Sequence, residues 1–293
     1  MEKTDRNLVI YEIKVPSRRS RPETIRKLID TAISKVKENS EFIDLLNVPE
    51  IIDENFEGRP FYRSIDVVPL SDELQTTTGK NVIINKVVGH LQGNDGFVEF
   101  LNEIKMKGIG NIVLVGVLSP HLKYPGLFVP KANKIASEMG FTVGNICIPN
   151  RPQELERIIT KTESGCNFFT TQILLEEDKI KKLILDYDKK CKENGIQPAR
   201  IFLSFATIED GYDIEFFKWL GIEILDETEK EIQESSDMKT YCEERIKKLY
   251  KSILKFKKDK QISVPLGVNI SQVNVRNLDS SLKLTKELSQ IRV

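Results

Sequence analysis

The feature that most constrains this chain is an alternation. Short β-branched, apolar runs take turns with stretches of helical periodicity along its whole length. Residues 7–14 read as a strand. After Pro22, the residues Ile25, Leu28, Ile29, Ala32, Ile33 and Val36 fall at the i, i+3, i+4, i+7 spacing of one helix face. Further strands are expected at 42–48, 81–88, 111–118, 141–148, 167–174, 199–205 and 262–269. Helices are expected at about 96–107, 131–139, 153–163, 178–194, 214–220, 227–258 and 278–291, with Gly140 and Gly195 as stop signals.

Eight strands separated by helices argue for parallel pairing, because each parallel crossover consumes a dozen or more residues. The count and the 293-residue length match a (β/α)8 TIM barrel, typically about 250 residues. The expectation is one such domain over residues 1–293, with a long extra helix before the last strand. An open doubly wound sheet is the alternative, but no G-x-G-x-x-G follows the first strand. Gly108-Ile109-Gly110 precedes a strand and so reads as a turn. No internal repeat, linker or break in composition divides the chain.

Composition narrows the function classes. Lys and Arg number 44 against 44 Asp and Glu, so the formal net charge is zero. That removes the sequence-independent pull toward phosphate on which non-specific nucleic-acid binding depends. Purely apolar runs are short, such as residues 112–115, far below the roughly 20 residues that cross a bilayer. The first six residues are polar and mixed in charge, without an apolar signal core. Four well-separated cysteines and two histidines form no zinc or disulfide framework. A soluble cytoplasmic protein is expected, with no metal, no nucleic-acid partner and no membrane partner.

In a barrel of this kind the chemistry sits where strands end and the following loops begin. The polar residues there are Glu12, Lys14, Asn47, Glu50, His90, Gln92, Thr171, Gln172, Ser204, Asn269 and Gln272. No Ser/His/Asp or Cys/His set stands among them. A collection rich in amides and carboxylates suits a flat heterocycle gripped by its hydrogen-bonding edge.

Here the residues reach a resemblance. Lys161-Thr-Glu-Ser-Gly165-Cys-Asn167-Phe168-Phe-Thr-Thr171-Gln172 resembles the K-x-D-x-G-A-D-F-x-x-T-Q segment of methylenetetrahydrofolate reductases. Tyr11-Glu12-Ile13-Lys14-Val15-Pro16 is similar to that family's first-strand F-E-x-x-P-P. Gly89-His90-Leu91 resembles its T-H-L, and Gly108-Ile109-Gly110-Asn111-Ile112-Val113 its G-I-x-N-I. The matches keep the family's order and span about residues 7–205.

The departures fall on the flavin segments. The family's R-G-D reads Val115-Gly116-Val117, and its A-x-Y-P-E-x-H-P reads Cys147-Ile148-Pro149-Asn150-Arg151-Pro152. His90 and Lys161 match flavin-side residues, and Gly116 and Arg151 stand within the altered segments. A flavin-free, mycobacterial-type branch of the superfamily takes hydride directly from NAD(P)H. Leu203-Ser204-Phe205, Trp219 and the long extra helix look like that branch.

The resemblance implies reduction of a 5,10-methylene-tetrahydropterin to its 5-methyl form, a step of one-carbon metabolism leading toward methionine biosynthesis. It casts Glu12 as general acid. An ordinary Glu is protonated to about one part in five hundred at neutral pH, so the site must raise its proton affinity. Glu54 would join it as a catalytic relay or neighbouring charge. Gln172, Thr171, Asn47, Glu50 and Asn269 would bind substrate, and His90, Lys161, Gly116 and Arg151 would face the cofactor: NAD(P)H, or FAD in a conventional reductase. A catalytically silent pterin-binding subunit acting with a partner protein is the competing class. The basic loop Arg18-Arg19-Ser20-Arg21 would hold an anionic substrate tail or nucleotide phosphates. Tyr241, Ile246, Leu249, Tyr250, Ile253 and Leu254 recur at helical spacing, as core or as a homo-oligomer contact.

Overall fold

The computed structural model describes residues 7–117 and 121–291. In its first half, β1 (Val9–Glu12), α1 (Pro22–Glu38) and β2 (Leu45–Pro49) are followed by two short strands, β3 (Ile52–Glu54) and β4 (Pro60–Tyr62). Then come α2 (Val67–Thr78), β5 (Asn81–Val87), α3 (Gly93–Met106), β6 (Asn111–Val115) and α4 (Val129–Glu138). The second half runs β7 (Thr142–Cys147), α5 (Glu154–Glu163), β8 (Phe168–Ile173), α6 (Asp178–Asn194) and β9 (Arg200–Phe205). Three helices, α7 (Gly211–Trp219), α8 (Asp226–Glu234) and α9 (Met238–Asp259), precede β10 (Leu266–Ser271) and α10 (Leu278–Ser289).

Eight strands close into a barrel in the order β1-β10-β9-β8-β7-β6-β5-β2, and the pairings are parallel throughout. The expected (β/α)8 barrel is the fold. No helix among the described residues is long and apolar enough to cross a membrane.

Period-two alternation gives each strand one inward and one outward set of side chains. Ile10, Leu45, Ile83, Val113, Phe168 and Phe202 form one apolar layer inside the barrel. The outward set packs with the helices into the larger core, including Tyr11, Leu46, Ile84, Ile112 and Phe169. Two glycines make room for the interior rings. A Cβ at Gly267 would stand 2.5 Å from Phe202 Cδ1 and 2.9 Å from the Leu8 carbonyl oxygen. Phe202 cannot swing aside freely, because it sits edge-on to Phe168 at 5.7 Å. Gly267→Ala is therefore expected to cost about 1–3 kcal/mol, the usual range for overpacking a tight core. Chemical denaturation would measure it, as a lower midpoint with an unchanged slope.

Four elements depart from the sequence expectation. Helix α2 was absent from it; Asp66 caps its start by accepting from the Val68 amide at 3.0 Å, and Gly79 ends it at φ 70°. The antiparallel β3–β4 hairpin was absent too, because strands of three residues carry almost no periodicity. The long helix expected at 227–258 is two helices, α8 and α9. The second starts afresh where Asp237 accepts from the Thr240 amide at 3.1 Å. The last strand begins four residues later than expected, at Leu266. Pro265 just before it has no N–H to give a ladder, although its carbonyl accepts from Ile201 at 2.9 Å. Leu118, the expected end of the fourth strand, lies outside the described residues.

Candidate active site

Two residues beyond the apolar interior layer each strand presents its next inward side chain; β6 and β7 keep apolar Val115 and Ile146 there, and on the other six strands the chemistry changes. The layer becomes Glu12, Asn47, Asn85, Thr170, Ser204 and Asn269. Apart from Asn47, which contacts Glu12, these line the floor of a cavity of about 690 Å³ at the C-terminal end of the barrel. Its walls are apolar, with Ile146, Phe216, Trp219, Leu220 and Ile222. Phe216 and Trp219 are stacked, centroids 5.7 Å apart and planes 21° apart.

Glu12 accepts a 2.7 Å hydrogen bond on Oε2 from Asn47 Nδ2. Burial raises its proton affinity above the ordinary carboxylate range. Hydrogen bonds from Asn47, Ser271 and Asn269 and the charge of Lys14 pull the other way without cancelling the rise. Lys14, two residues on and also lining the cavity, is pushed down by burial and partly restored by Glu12. The floor thus disfavours net charge and sets a carboxyl group of raised proton affinity against the cavity.

Four oxygens on and beside this floor are buried without a hydrogen-bond partner: Asn47 Oδ1, Asn85 Oδ1, Thr170 Oγ1 and Asn269 Oδ1. An unmet buried polar atom costs about 1–3 kcal/mol, and clusters of them are expected where a ligand supplies the missing donors. Asn269 keeps its amide plane fixed by donating from Nδ2 to Ser204 Oγ at 3.0 Å. Gln172 lies on the rim and donates from Nε2 to the Leu220 carbonyl at 3.1 Å, which ties the end of β8 to the end of α7. Thr171 lines the cavity, but its Oγ1 accepts from the Ser204 amide at 2.9 Å and so mends the irregular β8–β9 register.

The structure brings together Glu12, Lys14, Asn47, Thr171, Gln172, Ser204, Asn269 and Gln272, and leaves Glu50, Glu54 and His90 elsewhere. Glu50 accepts from Lys86 Nζ at 2.5 Å and from the Val87 amide at 3.0 Å. Glu54 pairs with His90 Nε2 at 2.9 Å and accepts from Tyr124 at 2.6 Å. None of Glu50, Glu54 and His90 borders the cavity. The expected neighbouring charge on Glu12 is thus replaced by plain desolvation. Asn85, Thr170 and Ser271 are cavity residues that the sequence reading missed. Their signal was available, since each stands at the inward parity of its strand: Asn85 and Thr170 lie inside strands expected to end one residue late, and Ser271 lies two residues past the expected end at 269.

The four residues matched to the cofactor side form no common cradle. Lys161, lowered by burial, donates to the Ile146 carbonyl at 2.8 Å. Arg151 is paired with Glu154 at 2.6 Å, and His90 is held by Glu54. Gly116 is exposed, and a Cβ there would meet only Val129 Cγ2 at an ordinary 3.6 Å. Charges already answered within the protein, none of them bordering the cavity, do not fit a bound flavin. Among the described residues no group of three or more His, Cys, Asp or Glu is arranged to hold a metal ion.

No family model matches the chain, and no curated protein does. Among solved structures it is similar to an uncharacterized Clostridium thermocellum protein that binds two copies of 5-methyl-5,6,7,8-tetrahydrofolic acid. The identity is 21%, over 98% of this chain and 96% of that one, at a TM-score of 0.79. Dihydropteroate synthase from Xanthomonas albilineans, solved with 4-aminobenzoic acid, matches at 13% identity and a TM-score of 0.45, over 98% and 95% of the two chains. Its counterpart from Vibrio fischeri matches at 13% and 0.46, over 99% and 95%. What the first likeness shows is the architecture: this chain and the clostridial tetrahydrofolate-binding protein share the (β/α)8 barrel.

Proposed function

We propose that the cavity binds a reduced pterin, and that the protein reduces 5,10-methylene-tetrahydropterin to the 5-methyl form with NAD(P)H as the hydride-donating co-substrate. The observation that carries this reading is the floor itself: a carboxyl of raised proton affinity set among four unmet acceptor oxygens. A tetrahydropterin offers donors along one edge, the 2-amino group, N3–H and N8–H, which is the complement those oxygens lack. The ligand of the clostridial protein of the same fold, 5-methyl-tetrahydrofolic acid, is the product this reaction would form.

The chemistry assigns each residue a task. The bond from N10 to the bridging carbon breaks, its electron pair stays on N10, and Glu12 delivers the proton that N10 takes up. The cation left at N5=CH2 accepts a hydride from the reduced nicotinamide and becomes the 5-methyl group. Glu12, now a carboxylate, recovers a proton from water, with Lys14 and Asn47 stabilising the charge meanwhile. Gln172 holds the heterocycle at the rim through its Oε1. Trp219 and Phe216 offer a flat apolar wall that keeps water from the iminium.

The test is an assay with 5,10-methylene-tetrahydrofolate and NADH or NADPH, with the products separated by chromatography. The expected result is one 5-methyl product for each nicotinamide oxidised, with no flavin absorption in the purified protein. A second reading, a silent pterin-binding subunit that works with a partner protein, draws on the cofactor-side residues being engaged elsewhere. Tight pterin binding with no turnover from either donor would select it. A bound flavin that reduces the substrate would restore the conventional FAD-dependent reductase.

A further inference from the structure

The chain after β1 does not leave the barrel mouth as a free loop. Ser17 forms an antiparallel bridge with Ser64, the Arg18 amide donates to the Arg63 carbonyl at 3.0 Å, and the Ile65 amide donates to the Pro16 carbonyl at 3.0 Å. This zips the loop to the outgoing arm of the β3–β4 hairpin. Between them lies a second hollow of about 120 Å³, lined by Ser17, Arg18, Arg19, Phe61, Tyr62 and Arg63. Ser17 and Arg63 also line the main cavity, so the two spaces adjoin.

The three arginines are not equivalent. Arg63 is paired with Asp53 and lies over Trp219 at 5.7 Å, so it is a neutralised wall between the two spaces. Arg18 and Arg19 have no acidic partner within ion-pair distance among the described residues. Each instead lies over an aromatic ring: Arg18 over Tyr62 at 5.9 Å and Arg19 over Phe61 at 5.1 Å. A ring face steadies a guanidinium without using its in-plane N–H groups, which remain free to meet a carboxylate fork. Phe61 stays 47% exposed, so this pair stands at the surface.

We propose that this arginine-lined annexe is the subsite for the carboxylate-bearing tail of the pterin substrate, and that it favours tails with several negative charges. The proposal rests on the pterin reading of the main cavity and deepens it. With the heterocycle on the polar floor, a tail leaving over Trp219 passes Arg63 and meets two uncompensated cations held at a fixed place by backbone pairing. A chain of zero net charge has no general field to gather anions, so local cations decide this selectivity.

Trp219 is the only tryptophan and lines the cavity, so its fluorescence reports binding. The experiment titrates tetrahydropteroyl mono-, tri- and pentaglutamate into the full-length protein, into R18Q/R19Q and into R18K/R19K. At low ionic strength the triglutamate is expected to bind about 5- to 20-fold more tightly than the monoglutamate, since each exposed ion pair contributes a factor of up to about five. Added salt should shrink the gain. The gain should vanish in R18Q/R19Q and survive in part in R18K/R19K, where charge remains and the fork is lost. Equal affinity for all tail lengths overturns the proposal, as does a gain that persists in R18Q/R19Q. A variant that raises only the KM for NAD(P)H overturns it too, in favour of nucleotide phosphates. Failure of every tetrahydropterin to bind removes the pterin reading itself, whereas binding without length dependence removes the subsite alone.

Discussion

Glu12→Gln is expected to lower turnover of methylene-tetrahydropterin by about 10²- to 10⁴-fold, the range lost with a positioned general acid, while leaving the pterin bound. Gln keeps an oxygen for the Asn47 donor and keeps the side-chain volume, so the cavity floor survives and only the transferable proton is gone. Single-turnover kinetics at saturating substrate would separate the two effects. A fall in affinity with unchanged turnover would take the acid role away from this residue.

The same variant carries a stability prediction of definite sign. Burial raises the Glu12 proton affinity in the folded state, so between its unfolded and folded values the native protein binds more protons than the unfolded chain. Its stabilising contribution is complete below the unfolded value and is lost as pH rises through the folded one. Above the folded value, ionised Glu12 therefore weighs against folding, by about 1.4 kcal/mol for each tenfold of raised affinity. Glu12→Gln should melt higher than the parent at pH 8 and show little difference at pH 4. Activity of the parent should fall with rising pH as the acid form disappears. A variant that melts lower at pH 8 would mean that the carboxylate is a structural partner and not a strained functional group.

The second large effect is expected on the acceptor floor. Asn85→Leu and Thr170→Val each delete a buried oxygen that has no partner and keep most of the side-chain volume. Each should raise stability by about 1 kcal/mol, because removing an unmet polar group removes its desolvation penalty. Each should also weaken tetrahydropterin binding by about 3- to 10-fold, the worth of one hydrogen bond. Stability and affinity moving in opposite directions is the signature of a site shaped for a ligand. If both variants fall in stability and bind as before, these oxygens serve the fold and the ligand lies elsewhere.

The barrel was legible because its signals are local. A period of two in the strands and 3.6 in the helices can be counted within a dozen residues, and the helix from Asp178 to Asn194 follows such a count. Strand pairing by parallel crossover follows from spacing alone. Glu12 and Gln172 were legible for the same reason: each ends a strand, and strand ends in a barrel share one face. Asn85 was not, because it lies two residues inside the end of its strand, whereas the polar residues taken from that strand, His90 and Gln92, lie past its end. Glu54 and His90 were expected in the site, yet they satisfy each other across 36 positions, a contact no local pattern announces.

What the sequence alone determined is therefore the alternation, the parallel barrel and the identity of the groups at its mouth, all set by spacing along the chain. The tertiary structure decided which of those groups meet. Closure brings Val9 beside Val268 and so places Asn269 beside Glu12. The docking of α7 puts Trp219 and Phe216 over the floor, and the β3–β4 hairpin takes Glu54 out of the cavity while lending it Arg63. The reason is physical: periodicity is a property of neighbours in sequence, whereas desolvation and unmet hydrogen bonds depend on everything packed around a group in space.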